Sequence, residues 1–427
     1  MSNPVIHNFS PSLCIECIRS KQEPVHEWLQ SLERSLMPPI YSSVDIRDAG
    51  FKIAVVDTNL FPAGFNNLCE HGIEDSIKYI KQAIERRAPG GKDILIVAEE
   101  HTRNVWYLEH IRILQKIIQD AGYNAVIATF LTVQPEFCES AHAVELETAT
   151  GQQVKIFCFK RILNKIQAGE QRYDLIIMNN DLSAGIPDIL RETDIPIYPS
   201  IHAGWHSRKK SSHFHHMTEL IREFARMVNL DPWLFSCFFT SMDGVNINSD
   251  EDRKKLADAA AKIFEQVEAK YKKHNVVEKP FVFLKSDSGT YGMGVEPIEH
   301  PEDILKLNRK DKNKLYKGKS SQVISRFLIQ EGVETIHSIE SQVSEVSIYQ
   351  IDNNLVGGFY RTHSSKGSRE NLNSPGMEFK KMCPRLSRYG DCGVHHDMNI
   401  FDVYRILARI AGIAARMEIV ELEEKRS

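Results

Sequence analysis

FVFLKSDSGTYGMGV, residues 281–295, is the stretch on which the reading of this chain turns. Its apolar start, residues 281–284, has the composition of a short strand and delivers Lys285 at the strand end. The loop that follows carries Gly289, Gly292 and Gly294 among Ser286, Ser288 and Thr290. Glycines let backbone N–H groups approach a polyphosphate closely, and successive amides form an anion-binding nest. Hydroxyls add donors, and Lys285 adds a point charge. No Gly-Lys-Ser/Thr follows, so this is not a Walker loop, and the spacing GTYGMG is not the dinucleotide fingerprint. A nucleotide is the expected ligand.

The segments downstream extend that expectation. RFLIQEGV (326–333) reads as a strand ending in Gln330 and Glu331, a hinge able to face an adenine amino group. SEVSIYQI (344–351) and LVGGFYRTH (355–363) flank the turn Asp352-Asn353-Asn354 and form a β-hairpin. That hairpin presents Arg361, a fork-shaped donor suited to a phosphate or an acyl phosphate. ENLNSPG (370–376) then offers Glu370, Asn371 and Asn373, hard oxygen donors of the kind Mg²⁺ prefers. In isolation Asn-Leu-Asn is ordinary turn chemistry; its place after Arg361 makes it a metal-ligand candidate.

Upstream, apolar runs alternate with amphipathic stretches: FKIAVV (51–56), a helix over 73–87, DILIVAEE (93–100), a helix over 105–120, NAVIAT (124–129), VKIFCF (154–159) and YDLIIMNND (173–181). A short helix over 186–191 and IPIYPS (195–200) close this half. Such alternation predicts βαβ units and a mostly parallel sheet. Polar clusters follow three of the strands: DTNLFPAGFNN (57–67), EEHTRN (99–104) and NNDLSAG (179–185). Ligands of open α/β sheets lie at carboxyl strand ends, so these clusters suggest a polar-ligand site. For Asn59, Asn66 and Asn67 the competing reading is plain turn chemistry. From 201 to 278 the texture is helical, with a charged amphipathic helix over 250–272.

Composition sets the outer bounds. The 427 residues are 42% hydrophobic and 26% charged, typical of a soluble globular chain. The net charge of −4 gives no reason to expect nucleic-acid or membrane partners. The first residues, MSNPVIHNFSPSLCIEC, lack the basic start and apolar run of a secretory signal. Eight scattered cysteines are too few for a disulfide scaffold, which fits reduced thiols and a cytoplasmic location. Cys14 and Cys17 form one CxxC without a second pair at zinc spacing. His202, His206, His213, His215 and His216 lack a paired carboxylate or cysteine and read as solvated or substrate-side histidines.

In its order of strand Lys285, SDSGTYGMG loop, Gln330-Glu331, Glu345, Arg361 and Asn371-Leu-Asn373, the sequence resembles the ATP-grasp superfamily of carboxylate–amine ligases. Within it, VDTNLFPAGFNNL (56–68), AEEHTRN (98–104), KSDSGTYGMGV (285–295) and VGGFYRTH with ENLNSPG (356–376) are similar to the proteobacterial glutamate–cysteine ligase family. The resemblance covers nearly the whole chain. It implies an α/β protein: an N-terminal open α/β, pre-ATP-grasp-like domain over 1–200, then an α+β ATP-grasp unit over 201–427. Within that unit, 201–278 would be mainly helical and 279–427 nucleotide-binding. It further implies ATP and Mg²⁺ as cofactors, glutamate and cysteine as substrates, and γ-glutamylcysteine, ADP and phosphate as products. Lys285 and either Lys210 or Lys209 would hold phosphates, and Arg361 would stabilise the acyl phosphate. Asp57, Asn59, Asn66, Asn67 and Arg103 would hold an amino acid. A ligase for another amino-acid pair and a non-catalytic nucleotide-binding regulator are the alternatives, and a homo-oligomer is compatible with either. One departure concerns the metal: the usual final Glu-x-Asn is missing, leaving Glu418 and Glu421 as substitutes near the C-terminus.

Overall fold

The computed structural model describes residues 11–101, 103–130, 143–288, 294–316, 324–383, 385 and 398–425. Helices α1 (Pro11–Arg19) and α2 (Gln22–Ser35) lead into strands β1 (Tyr41–Asp48) and β2 (Ile53–Asn59). Then come α3 (Glu70–Arg87), β3 (Asp93–Ala98), α4 (Val105–Asp120), β4 (Asn124–Thr129), β5 (Ala143–Glu147), β6 (Gln153–Cys158), α5 (Phe159–Gln167), β7 (Leu175–Asn179) and β8 (Ile197–Tyr198). Helix α6 (Lys210–Met227), β9 (Phe239–Met242) and α7 (Asp250–His274) precede β10 (Val282–Ser286), β11 (Val295–Ile298), α8 (Arg309–Tyr316) and β12 (Phe327–Glu331). Strands β13 (Ser338–Ile339), β14 (Gln342–Ile351), β15 (Asn354–His363) and β16 (Met377–Met382) and helix α9 (Met398–Glu424) complete the chain.

Local signals account for many boundaries. Asn104 caps α4 through the Tyr107 N–H at 3.1 Å, and Ser249 caps α7 through the Asp252 N–H at 3.3 Å. Helix α7 carries Asp250, Glu251 and Asp252 in its first turn and Lys272, Lys273 and His274 in its last, matching the helix dipole at both ends. It stops at Asn275, whose φ of 55° is the left-handed cap conformation that Asn tolerates. The expected helix over 186–191 is a shorter 3-10 turn, Asp188–Arg191.

Three sheets organise the core. The first runs β5-β6-β4-β3-β7-β8, parallel except for the edge strand β5, as the alternation of strands and helices predicted. The second, β11-β10-β12-β9, is antiparallel and carries Lys285. The third, also antiparallel, runs β16-β15-β14-β1-β2. Here the sequence reading needs correction. FKIAVV was expected to open the parallel sheet, but β2 pairs with β1, and β1 with β14, so hydrogen bonding joins residues 41–59 to 342–363 across position 200. Helix α3 lies between the sheets, with Ile80, Ala83 and Ile84 in one buried cluster with Ile111 of α4, Ile94 of β3 and Phe359 of β15. Helix α9 packs Tyr404, Leu407, Ile410 and Ala411 into the cluster that also holds Phe224 of α6 and Leu29 of α2.

Most cysteine expectations hold at the level of single residues. Cys14, Cys17, Cys69, Cys237 and Cys383 are thiols. Burial, then the neighbouring Cys17, pushes the Cys14 thiol up to about 12, so the CxxC on α1 holds no activated thiolate. Cys158 is the exception: it is disulfide-bonded, with its partner outside the described residues.

His110 on α4 is fully buried and held as one neutral tautomer. Nε2 donates to Asn179 Oδ1 at 3.1 Å, and Nδ1 accepts the Phe65 N–H at 3.3 Å. Burial pushes its pKa down to about 4 despite the Asn179 hydrogen bond. Below pH 6.5 the unfolded chain therefore takes up a proton that the folded chain refuses. This group alone is expected to remove on the order of 2 kcal/mol of stability between pH 7.5 and pH 5. Urea unfolding of the wild type and His110→Gln at both pH values checks it, because the variant should lose that part of the pH dependence.

Candidate active site

The two antiparallel sheets face each other across a cleft of about 700 Å³ that opens to solvent. Strands β1 and β2 contribute Asp45, Arg47, Val56 and Asp57, and β14 and β15 contribute Glu345 and Arg361. The opposite wall is Phe283, Lys285 and Ser286 of β10, Ser288, Val295 of β11 and Gln330 of β12. Lys210 enters from the first turn of α6, and Asn371 and Asn373 from the β15–β16 connection.

Strand register explains the convergence. Alternate residues of a strand share a face, so Asp45 and Arg47 point the same way, as do Phe283 and Lys285. Glu345 lies directly across from Arg361, Asp45 across from Asp57, and Phe283 across from Gln330. The result is a buried charge network. Arg47 Nη2 meets Glu345 Oε2 at 2.7 Å, and Arg361 Nη1 reaches Asp45 Oδ2 at 3.2 Å and also binds Glu345 Oε1. Arg47 further donates to the Ser368 carbonyl at 2.9 Å and the Glu370 carbonyl at 2.7 Å, which ties the β15–β16 connection to the sheet.

The glycine-loop lysine sits where the strand was expected to place it. Lys285 Nζ donates to the Val56 carbonyl at 3.1 Å and lies 5.6 Å from the Phe214 ring centroid. Lys210 Nζ binds Asp57 and lies 4.7 Å from the Trp205 ring centroid. Lys209, the alternative to Lys210, is exposed. Asp287 fixes this arrangement: its carboxylate accepts the Ser211 N–H at 2.8 Å and the Ser211 hydroxyl at 2.7 Å, and its carbonyl accepts the Lys210 N–H at 2.7 Å. The base of the glycine loop is thereby pinned to the start of α6. Ser286 N–H bonds the Gly294 carbonyl at 3.1 Å, and Gly294 has φ +64°, a conformation that favours glycine. Gly289, Thr290 and Gly292 lie outside the described residues.

Ionisation follows from this crowding. Burial, then repulsion from Lys210, pulls Lys285 down to about 8. Burial opposes charge on Asp57, yet Lys210 and Lys285 hold its carboxyl down to about 2. Burial also acts on Glu345, but Arg47 and Arg361 keep it below the usual carboxylate range. Asp45 is raised by burial against the pull of Arg361, with Glu345 and Asp57 adding repulsion. Among the described residues, two buried donors on the cleft residues, Gln330 Nε2 and Arg361 Nε, have no hydrogen-bond partner.

Several expected site residues are elsewhere. Glu331 alternates away from Gln330 and is buried with Lys52, the Trp233 indole N–H at 2.9 Å and the Phe238 N–H at 2.9 Å. The Glu370 carboxylate accepts from Lys366 at 2.8 Å and the Gly367 N–H at 2.7 Å, outside the cleft lining. Asn59 closes a turn through the Phe61 N–H at 2.9 Å, Asn66 Nδ2 bonds Asn67 Oδ1 at 3.3 Å, and Arg103 is exposed. The strand-end cluster at 179–181 is spent internally: Asn180 accepts the Leu182 N–H, Asp181 accepts the Ser183 N–H, and Glu99 accepts the Asp181 N–H. Glu418 is buried against Arg208 at 2.8 Å, and Glu421 pairs with His216 at 3.1 Å, so neither substitutes as a cleft ligand. Sequence reasoning overlooked Asp45, Arg47 and Phe283. The available signal was Asp45 and Arg47 alternating with Val44 and Ile46 inside one strand.

A family model described as Glutamate-cysteine ligase matches residues 16–419. A 1.90 Å crystal structure from Methylobacillus flagellatus KT, of a protein assigned as gamma-glutamylcysteine synthetase, is 33% identical and superposes with a TM-score of 0.83 over 96% of each chain. D-alanyl-alanine synthetase A from Vibrio cholerae O1 biovar eltor matches at 11% identity and a TM-score of 0.34, over 75% of this chain and 81% of its own. A glutathione synthetase-like effector from Globodera pallida matches at 11% identity and a TM-score of 0.32, over 87% and 82%. A comparison with curated proteins gives no match.

The lowered Lys285 pKa is open to direct measurement. Trace acylation followed by peptide mass spectrometry should give a reactivity midpoint for Lys285 near pH 8. Lys210→Met should move that midpoint upward, since the neighbouring cation is gone, and added tripolyphosphate should do the same by supplying an anion.

Proposed function

We propose that in this chain, which belongs to the glutamate–cysteine ligase family, the cleft between the antiparallel sheets is where ATP, glutamate and cysteine react. The activity of the family is ATP-dependent formation of a carbon–nitrogen bond between glutamate and cysteine, in glutathione biosynthesis. The observation that carries the placement is the convergence of four cations, Arg47, Lys210, Lys285 and Arg361, on one cleft at the base of the glycine loop.

The residues fit a polyphosphate. Lys285 and Lys210 repel each other in the structure, and an anion between them relieves that cost. The unpartnered Gln330 amide N–H faces the cleft opposite Phe283 and suits an adenine ring nitrogen. In the first step an oxygen of the glutamate γ-carboxylate attacks the γ-phosphorus of ATP, and ADP leaves. In the second the cysteine amine attacks the acyl carbon, the C–O bond to phosphate breaks, and the amine loses its proton. Neither step needs a covalent bond to the protein; each needs alignment and stabilisation of charge. Lys285 and Lys210 hold the β- and γ-phosphates. Arg361, kept in place by Asp45 and Glu345, turns its unpartnered Nε–H toward the transferred phosphoryl group. Asp57 carries negative charge throughout the neutral range and accepts the incoming amine.

The donor set also fits Mg²⁺. Asp45, Asp57, Glu345, Asn371 and Asn373 line the cleft with hard oxygens, and the burial that raises Asp45, with the added repulsion of Glu345 and Asp57, is what a divalent cation would offset. Bound there, the ion would neutralise phosphate charge as the γ-phosphoryl group is transferred. Among the described residues no helix is long and apolar enough to cross a membrane. A cytoplasmic location accords with the use of ATP and free cysteine.

Phosphate release from ATP should require glutamate and cysteine together. Turnover with glutamate and another amine, but none with cysteine, overturns the substrate assignment. Lys285→Met should keep the wild-type circular-dichroism spectrum and lower kcat/KM for ATP by about 100-fold or more, on the order of 3 kcal/mol of transition-state stabilisation.

A further inference from the structure

A second cluster of chemistry-bearing side chains lies away from the cleft. Cys69, His71 and Cys383 bring one sulfur, one ring nitrogen and one sulfur within 4.8 Å of one another. We propose that these three residues form a zinc site that clips the end of β16 to the first turn of α3.

The geometry is close to that of a loaded site. Zinc–sulfur and zinc–nitrogen bonds of about 2.3 and 2.0 Å in a tetrahedron hold their donor atoms roughly 3.5–3.8 Å apart. His71 Nδ1 already lies 3.4 Å from Cys383 Sγ. Cys69 and Cys383 are buried and neither is in a disulfide. Cys69 occupies the cap position of α3, where its sulfur accepts the Gly72 N–H at 3.4 Å. A helix start stabilises a thiolate, the form that binds metal, and binding releases one proton from each thiol. Two thiolates and an imidazole are a soft set suited to zinc, unlike the hard oxygens of the cleft, and they fill three positions of a tetrahedral ion.

The surroundings are built to hold these donors. A Cβ on Gly72 would lie 2.7 Å from the Val356 carbonyl, so the first turn of α3 is pressed against β15 at a point where only glycine fits. Two residues beyond Cys383, Arg385 pairs with Glu74 at 2.9 Å and with Asp75, both on α3. The same short stretch of chain is thus fastened to α3 by an ion pair and by the sulfur–histidine cluster. Among the described residues β16 pairs only with β15, so this clip secures an edge strand. Its other end, Met377, follows Asn373 and the cleft, roughly 20 Å away along an extended strand of six residues. The ion therefore acts on stability and strand register, without entering the ligase chemistry.

The test uses the full-length protein purified under reducing conditions and washed with a weak chelator. About one zinc ion per chain is expected by elemental analysis. Metal-free protein titrated with Co²⁺ should show thiolate-to-cobalt charge-transfer absorption. His71→Gln and Cys383→Ser should each lose the stoichiometric zinc and lower the Tm, while KM for ATP stays within about twofold of wild type. Should a substitution prevent folding, the cobalt spectrum of the wild-type chain decides alone. Wild-type protein with neither zinc nor a cobalt–thiolate band overturns the proposal, as does zinc retained by both variants. A Cys69–Cys383 disulfide in the purified enzyme, seen by peptide mass mapping, also overturns it.

Discussion

The joining of Asp45, Arg47, Glu345 and Arg361 into one buried network is the constraint on which the cleft depends. Removing each of these ions from water costs several kcal/mol, and only partners placed in good geometry recover it. Glu345 therefore holds both arginines, and Asp45 adds a second carboxylate to Arg361. Because the four residues come from β1, β14 and β15, the network forms only when these strands are in register. Arg47 then extends the order to the carbonyls of Ser368 and Glu370, which sets the connection bearing Asn371 and Asn373 over the cleft. A rigid, charge-balanced floor of this kind needs no rearrangement when charge moves between substrates above it.

Facing this floor is a wall built on another logic. The four-stranded sheet presents Lys285, bonded to the Val56 carbonyl and sharing Asp57 with Lys210, together with the neutral amide of Gln330, and Asp287 locks the loop base to the start of α6. The cations of the floor are each paired with a carboxylate, whereas Lys210 and Lys285 also repel each other. The ion pair Lys210–Asp57 is the bridge between the two.

Much of this was legible in the sequence because it is written in local pattern. The strand–lysine–glycine stretch, the hairpin around residues 352–354 and the helix over 105–120 depend on periodicity and turn chemistry that a short window contains. The four quoted motifs sufficed for the family, and the family model spans residues 16–419. Strand partnership was not legible. YSSVDIRD alternates apolar and charged residues at 44–47 yet is buried at seven of its eight positions, so its polar face meets no solvent, and nothing local tells β1 that its neighbour is β14. Glu331 was misread for a simpler reason: neighbours on a strand point to opposite faces, so Gln330 and Glu331 could not both line the cleft. Asn59, Asn66 and Asn67 make the local turn hydrogen bonds that were the competing reading of these positions.

The pairing of β1 with β14 also has a temporal side. Tyr41 lies opposite Ile351, so about 300 residues separate partners that share a ladder. At a synthesis rate of about 5–20 residues per second, β1 and β2 wait roughly 15–60 s for the strand that will cover them. During that interval the parallel sheet can form from contiguous chain, but β1 has an open edge and its charged residues have no partners. The arrival of β14 and β15 then closes the edge and supplies the partners of Asp45 and Arg47 in the same event, before β16 and α9 complete the chain. The cleft floor is consequently among the later parts of the molecule to exist, and a chain that has not yet reached β14 has no such floor to expose.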